Sequence, residues 1–366
     1  MECTVLDFPA LLRFTVDQGA SDLHMRVGAP PRVRVDGELR LTPFPAVESD
    51  EAEALLARVM PADRRAEFLA TGEADFSVSE AGLGRFRANA FRQRGSIGLV
   101  LRRVVPAART VAEMGLPAVV TRLSDEARGM VLVTGPTGSG KTTTLAAMID
   151  HINRTRAVHI ITIEDPIEVT HPDKKAIISQ REIGNDTTNF AQAMRRALRQ
   201  DPDVILIGEM RDAETVSAAL SAAETGHLVL STLHTTNAEE TINRVVDFFP
   251  PHQQHQVRLT LASVLRGVIS QRLVPRADGE GRVASIEAMV ATGRIADRII
   301  DPGGGQGETI TELIAEGEYH GMQTFDQSLF SLYQQGQITL RAALSSASNA
   351  HDLRVALQGA GLLATA

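Results

Sequence analysis

Residues 130–142 run Met-Val-Leu-Val-Thr and then Gly-Pro-Thr-Gly-Ser-Gly-Lys-Thr, an apolar strand leading into the pattern G-x-x-x-x-G-K-T. A chain with this stretch must bury a strand, turn sharply on glycines and begin a helix. Gly135, Pro136, Thr137, Gly138, Ser139, Gly140, Lys141, Thr142 and Thr143 then form a candidate phosphate cradle. The glycines let backbone N–H groups face phosphate oxygens, Lys141 brings a point charge to the β and γ phosphates, and the Thr142 hydroxyl suits Mg²⁺. The segment from Thr143 to Ile152 reads as a helix whose positive N-terminal end adds to anion binding. The ligand this predicts is a nucleoside triphosphate with Mg²⁺.

The 366 residues suffice for two or three domains, each with its own core. A formal charge of −8 and a pI near 5.7 leave no global positive field, which argues against nucleic acid or an anionic membrane surface as the main partner. The single cysteine, Cys3, permits neither an internal disulfide nor a cysteine-based zinc site, so a reducing, cytoplasmic setting is expected. Apolar runs such as Val204–Ile207 and Leu228–Leu230 fall well short of the roughly 20 residues that span a bilayer. No basic segment leads into an apolar one at the start, so no signal peptide is expected.

Residues 1–103 mix one or two helices with alternating stretches, Pro31–Val35 before an Asp36–Gly37 turn and Gly84–Phe91, and read as an α/β domain with an antiparallel sheet. A linker is expected over 104–117, which contains Pro106, Ala107, Gly115 and Pro117. The core, 118–300, alternates strands near 130–134, 158–163, 177–180, 203–207 and 228–232 with helices near 141–152, 188–200, 212–224 and 237–246. Such alternation predicts a mostly parallel, helix-covered sheet. The cluster Asp301-Pro-Gly-Gly-Gly305 opens a last region, 301–366, with helical segments around 308–316, 323–335, 338–347 and 349–357.

Two acidic motifs end core strands, where a parallel sheet places its ligands. In Ile160–Glu168, Glu164 is the candidate to orient or deprotonate an attacking water, with Asp165 and Glu168 as modulators. In Asp203–Asp212, Gly208 and Glu209 stand where many P-loop enzymes carry an aspartate for Mg²⁺. Gly208 offers no side chain, so Glu209 serves the metal indirectly, orients water, or shares that work with Glu164. His227 and His234 bracket one apolar strand, and His234, followed by Thr235, Thr236 and Asn237, is placed to donate to a γ-phosphate. Arginines at 85, 87, 92, 94, 102 and 103 form a basic strip. Phosphoryl transfer needs added positive charge, and Arg87 and Arg102 are the candidates to bring it from another domain or subunit. The competing reading, a single-stranded nucleic-acid groove, finds only Phe86 and Phe91 to stack on bases.

Together these motifs resemble the secretion-superfamily ATPases, and among them the type IV pilus retraction ATPase (PilT-like) family, over nearly the whole chain. Ser21–His24 and Pro31–Gly37 resemble that family's N-terminal domain, Thr162–Glu168 its Asp box, Gly208–Glu209 its atypical Walker B motif and Gly226–His234 its His box. The segments 241–250, 270–273, 281–285 and 321–324 are similar as well. The resemblance implies a RecA-like P-loop core, a smaller PAS-like N-terminal α/β domain and a helical C-terminal tail. It implies a homohexameric ring whose sites close between neighbouring subunits, with Arg87 and Arg102 at the positions of arginine fingers. It further implies a cytoplasmic motor docked at the inner face of the membrane through an inner-membrane platform protein, with a paralogous pilus motor as a further partner and no nucleic acid. Extension and secretion paralogues usually carry a longer N-terminal region and a four-cysteine zinc insertion, which favours the retraction branch here. The family's A-I-R-N-L-I-R-E-like helix is replaced by Gly293–Ile300 and the glycine cluster, so an accessory retraction motor or another traffic ATPase is the alternative.

Overall fold

The computed structural model describes residues 7–35, 37–104, 108–303 and 308–363, which fall into two compact units, 1–107 with 168–170 and 108–167 with 171–366. Cys3, Asp36, Pro106, Ala107, Gly304 and Gly305 lie outside the described residues.

The first unit opens with α1 (Phe8–Asp17), where the Asp7 carboxylate accepts the Ala10 N–H at 2.9 Å. It continues with β1 (Asp22–Arg26), β2 (Arg32–Val35), β3 (Glu38–Leu41), α2 (Ser49–Val59), α3 (Ala62–Thr71), β4 (Glu73–Glu80), β5 (Gly84–Gln93) and β6 (Ser96–Arg103). The strands form one sheet in the order β3-β2-β1-β6-β5-β4, every pairing antiparallel. The period-2 pattern of 84–91 works as expected. Phe86, Ala88 and Ala90 turn into the core, leaving Arg85, Arg87 and Asn89 for the opposite face. Three helices are found among the described residues where one or two were expected, because α2 and α3 are short and largely polar, burying Leu55, Leu56 and Phe68.

The second unit begins with α4 (Ala118–Ser124), β7 (Gly129–Thr134), α5 (Lys141–Thr155), β8 (His159–Glu164), β9 (Ile177–Glu182), α6 (Phe190–Ala197), β10 (Val204–Ile207), α7 (Ala213–Glu224), β11 (Leu228–Leu233) and α8 (Ala238–Asp247). All five core strands and four helices expected from periodicity are present, with ends shifted by a few residues. The chain then adds α9 (Pro251–Val264), β12 (Leu265–Pro275), β13 (Arg282–Val290) and α10 (Gly293–Ile300). Sequence patterning did not single these out. Helix α9 is polar along most of its length, burying Val257, Leu261 and Val264. Strand β12 is interrupted by Gly267, where a Cβ would come within 2.7 Å of Leu123 Cδ1 and the Met289 carbonyl.

The sheet order is β13-β12-β7-β11-β10-β8-β9, parallel throughout except for the antiparallel edge strand β13. Strands β7, β10 and β11 are buried along their whole length, as continuous apolar runs covered on both faces require. The last helices are α11 (Ile310–Ala315), α12 (Phe325–Gln334), α13 (Leu340–Ser346) and α14 (Ala350–Gly359), with a 3₁₀ turn at Gly317–His320. Ile310, Leu313 and Ile314 of α11 join the main core, whereas α12 to α14 close over a smaller one with Val274 and Val283 of the β12–β13 hairpin. Among the described residues no helix is long and apolar enough to cross a membrane.

Candidate nucleotide site

Parallel strands present their C-terminal ends at one edge, and the sheet order decides which loops meet there. Strand β11 lies between β7 and β10, and β10 is flanked on its other side by β8. Four consecutive strand ends therefore carry the phosphate loop, His234, Gly208–Glu209 and Glu164. Register fixes their level: Thr134 pairs with Leu233, and Ile207 pairs with Ser231 on one side and Ile163 on the other.

The loop leaves β7 at Gly135, with φ +145°, and passes Gly138 and Gly140 at +78° and +91°, a left-handed path that glycine follows without strain. Pro136, Thr137 and Gly138 are exposed, as are Thr142 and Thr143 at the start of α5. Lys141 is only 8% exposed, and its Nζ donates to the Gly135 and Pro136 carbonyls at 2.8 and 3.0 Å. Burial lowers its pKa, an effect opposed by the nearby Glu209 carboxylate. The Ser139 hydroxyl is buried with no partner among the described residues. A glycine-turned cradle, an exposed Thr142 hydroxyl and an unspent Ser139 hydroxyl fit a polyphosphate.

Glu209 is held in place by two neighbours. Its Oε1 pairs with Arg211 Nη2, and its Oε2 lies 3.4 Å from His234 Nε2, an ion pair when that histidine is protonated. The Glu209 side chain is 12% exposed, against 53% for His234. Glu164 Oε1 accepts from Thr162 Oγ1 at 2.6 Å and from Gln180 Nε2 at 3.1 Å, which holds that carboxylate oxygen in place. Gly208 makes room for this arrangement. A Cβ there would lie 3.3 Å from the Ile163 carbonyl and 3.4 Å from Glu164 Cα.

The remaining sequence candidates are distributed elsewhere. His227 sits at the N-terminal end of β11, opposite the loop edge, and its Nδ1 bonds the Ala222 carbonyl at 2.9 Å. It closes the end of α7. Arg87 and Arg102 belong to the first unit, directly opposite one another on β5 and β6. Arg102 Nε donates to Asp22 Oδ1 at 2.7 Å, and Arg87 Nη1 lies 3.8 Å from Glu168 Oε1. Glu168 clusters with that unit. The basic strip is split: Arg92 lies over the Phe68 ring, 5.3 Å from its centre, and Arg94 occupies a turn at φ 50°.

Sequence reasoning missed three neighbours of these groups: Arg211 on Glu209, Gln180 on Glu164, and Gln271, which bonds the phosphate loop. Arg211 had a signal, being two residues past Glu209. The two glutamines come from other strands, and only the pairing of β9 with β8 and β12 with β7 brings them in. Among the described residues no cluster of three or more histidine, cysteine or acidic side chains is placed to hold a metal. A Mg²⁺ carried mainly by phosphate oxygens and water, with one or two protein oxygens, needs no such cluster.

A parallel sheet whose edge aligns a phosphate loop, a histidine and two glutamates defines a P-loop enzyme built to hydrolyse a nucleoside triphosphate. Residues 10–306 match the family model for type II/IV secretion system proteins. The type IV pilus retraction ATPase PilT of Pseudomonas aeruginosa is 47% identical over 342 residues, covering 93% of this chain and 98% of PilT. The type IV pilus ATPase PilU of the same organism is 41% identical, covering 96% and 92%. A crystal structure of the pilus retraction motor PilT with bound ADP superposes at a TM-score of 0.85 with 46% identity, covering 96% of this chain and 99% of that one. The chain belongs to the type II/IV secretion ATPase family, in its type IV pilus retraction branch.

Proposed function

We propose that this protein is a Mg²⁺-dependent ATP-hydrolysing homohexamer that powers type IV pilus retraction, working in the cytoplasm against an inner-membrane platform protein. The observation that carries the reading is the alignment of Lys141, His234, Glu209 and Glu164 on four adjacent strand ends, in a chain 47% identical to PilT. In this reading 1–103 is the PAS-like domain, 104–117 the linker, 118–300 the RecA-like core and 301–366 the connection and helical tail.

Backbone N–H groups of 138–143 bind the β and γ phosphates, and Lys141 leaves its loop carbonyls to neutralise them. Mg²⁺ would be held by the Thr142 hydroxyl and indirectly by Glu209, and would supply Lewis-acid neutralisation of the phosphate oxygens. Glu164, held by Thr162 and Gln180, takes the proton of the attacking water. His234 donates to the γ-phosphate and, through its contact with Glu209, reports whether that phosphate is present. Arg87 and Arg102, from the first unit of a neighbouring subunit, complete the charge.

The second reading is an accessory retraction motor acting beside a paralogue; the chain is also 41% identical to a second type IV pilus ATPase, PilU. Mixing subunits tests the shared site. Lys141→Ala and Arg87→Ala proteins, each inactive alone, should regain hydrolysis when co-assembled, since some interfaces then hold an intact lysine and an intact arginine. A mixture no more active than its parents would overturn the placement of Arg87.

A further inference from the structure

The phosphate loop rests on one side chain from outside it. Strand β12 runs beside β7 with Ser270 level with Thr134, so the next residue, Gln271, lies against the loop as it leaves the sheet. Gln271 is 1% exposed. Its Nε2 donates to the Ser139 carbonyl at 2.6 Å, and its Oε1 accepts from Thr144 Oγ1 at 2.7 Å. The amide thus ties the crest of the loop to the first turn of α5, and neither end is interchangeable, because the Ser139 carbonyl can only accept.

Two loop glycines are shaped around the same residue. A Cβ at Gly135 would stand 2.4 Å from the Gln271 carbonyl, and one at Gly140 would stand 2.6 Å from Gln271 Nε2. The loop therefore needs glycine there for close approach as well as for its left-handed turns. On the opposite face of β12, Ser270 Oγ accepts from Thr134 Oγ1 of β7 at 3.0 Å. Arg272 donates to the Ser346 carbonyl at 2.8 Å and lies over the Phe325 ring, 3.9 Å from its centre. The strand that braces the loop is itself fixed to the C-terminal helices.

We propose that Gln271 is a positioning residue for nucleotide binding: through Ser139 it holds the loop in the curve that turns the 138–141 N–H groups toward phosphate. This rests on the reading of residues 135–143 as the nucleotide site.

The test measures ADP affinity with Mg²⁺ by calorimetry, beside the melting temperature of nucleotide-free full-length protein. Gln271→Met removes both bonds at similar volume, Gln271→Glu replaces the donor to Ser139 with a charged acceptor, and Thr144→Val removes only the other bond. Both Gln271 variants should bind ADP about tenfold more weakly, the effect of losing one well-made hydrogen bond, and Thr144→Val less than about threefold. The loss of affinity should follow the Ser139 bond and not the rank order of melting temperatures. Unchanged affinity in the Gln271 variants would overturn the proposal, as would losses that rank with stability across all three. Should Gln271→Met not fold, the uncharged Gln271→Leu against Thr144→Val makes the same comparison. Lys141→Ala separates the two claims. If it binds ADP like wild type, the nucleotide-site reading fails; if it alone loses ADP, only the role of Gln271 fails.

Discussion

Lys141 shows what a side chain must give up to act. It is nearly buried, bonded to two loop carbonyls, and biased by burial toward its neutral form while Glu209 favours the charge. In the proposed site a phosphate would replace those carbonyls with a full negative charge. Lys141→Ala should therefore cut steady-state ATP turnover by at least about 100-fold, the scale of a lost charge-stabilising group, and a milder loss would point to another cation. His171 behaves differently. Burial lowers its pKa to about 4, so the folded protein keeps it neutral while the unfolded chain titrates near 6.5. Protons then bind the unfolded state first. The stability from neutral His171 is complete above pH 6.5 and is lost between 6.5 and 4, by about 3 kcal/mol at the lower end. His171→Gln should flatten the fall in melting temperature across that window, and an unchanged pH profile would refute the assignment. The His171 backbone N–H donates to Gln180 Oε1, the amide that also bonds Glu164, so this loop and the Glu164 carboxylate share a support.

At the level of elements, the parallel core was legible because its strands are short apolar runs and three of its helices carry side-chain caps. Asn189, Asp212 and Asn237 each accept an N–H at the start of α6, α7 and α8. Motif spacing placed Glu164, Glu209 and His234 at strand ends, and the structure brings all three to one edge. What the sequence concealed was mostly tertiary. Helix α9 and the β12–β13 hairpin lack clean periodicity because their burial is decided by partners far along the chain, and the hairpin carries Gln271. His227 is the weaker candidate of the pair, and the structure shows why: a strand has two ends, and His227 sits at the one away from the loop. Gly208 illustrates the reverse. Its missing side chain reads as a lost metal ligand, whereas the structure shows that β8 and Glu164 crowd the position. Gly208→Ala should press on Glu164 at an overpacking cost of about 1–3 kcal/mol, lowering turnover more than ADP affinity. Equal losses of both would show that the crowding reaches the phosphate loop.

For the whole molecule, ATP hydrolysis produces work only if domains move together, and a ring of shared sites would supply that coupling. Arg87 and Arg102 stand side by side on the first unit's sheet, with the Arg102 side chain 68% exposed while tied to Asp22. That arrangement suits a cation presented to a neighbour. Arg87→Ala should leave ADP affinity within about twofold of wild type but lower hydrolysis by about 10³-fold, as loss of an arginine finger does. Weakened binding with normal hydrolysis would place Arg87 outside the transition state. Arg211 is the counterweight: it already neutralises Glu209 within the core, so Arg211→Ala is the comparison that separates charge supplied within a subunit from charge supplied across one.

Steady-state ATP hydrolysis across a protein concentration series, with mass determined in parallel and Lys141→Ala as control, tests the central claim most directly. Specific activity should rise with assembly to a six-subunit mass and vanish in the control. Full activity in a monomer would contradict the shared-site motor and leave a P-loop enzyme that works alone.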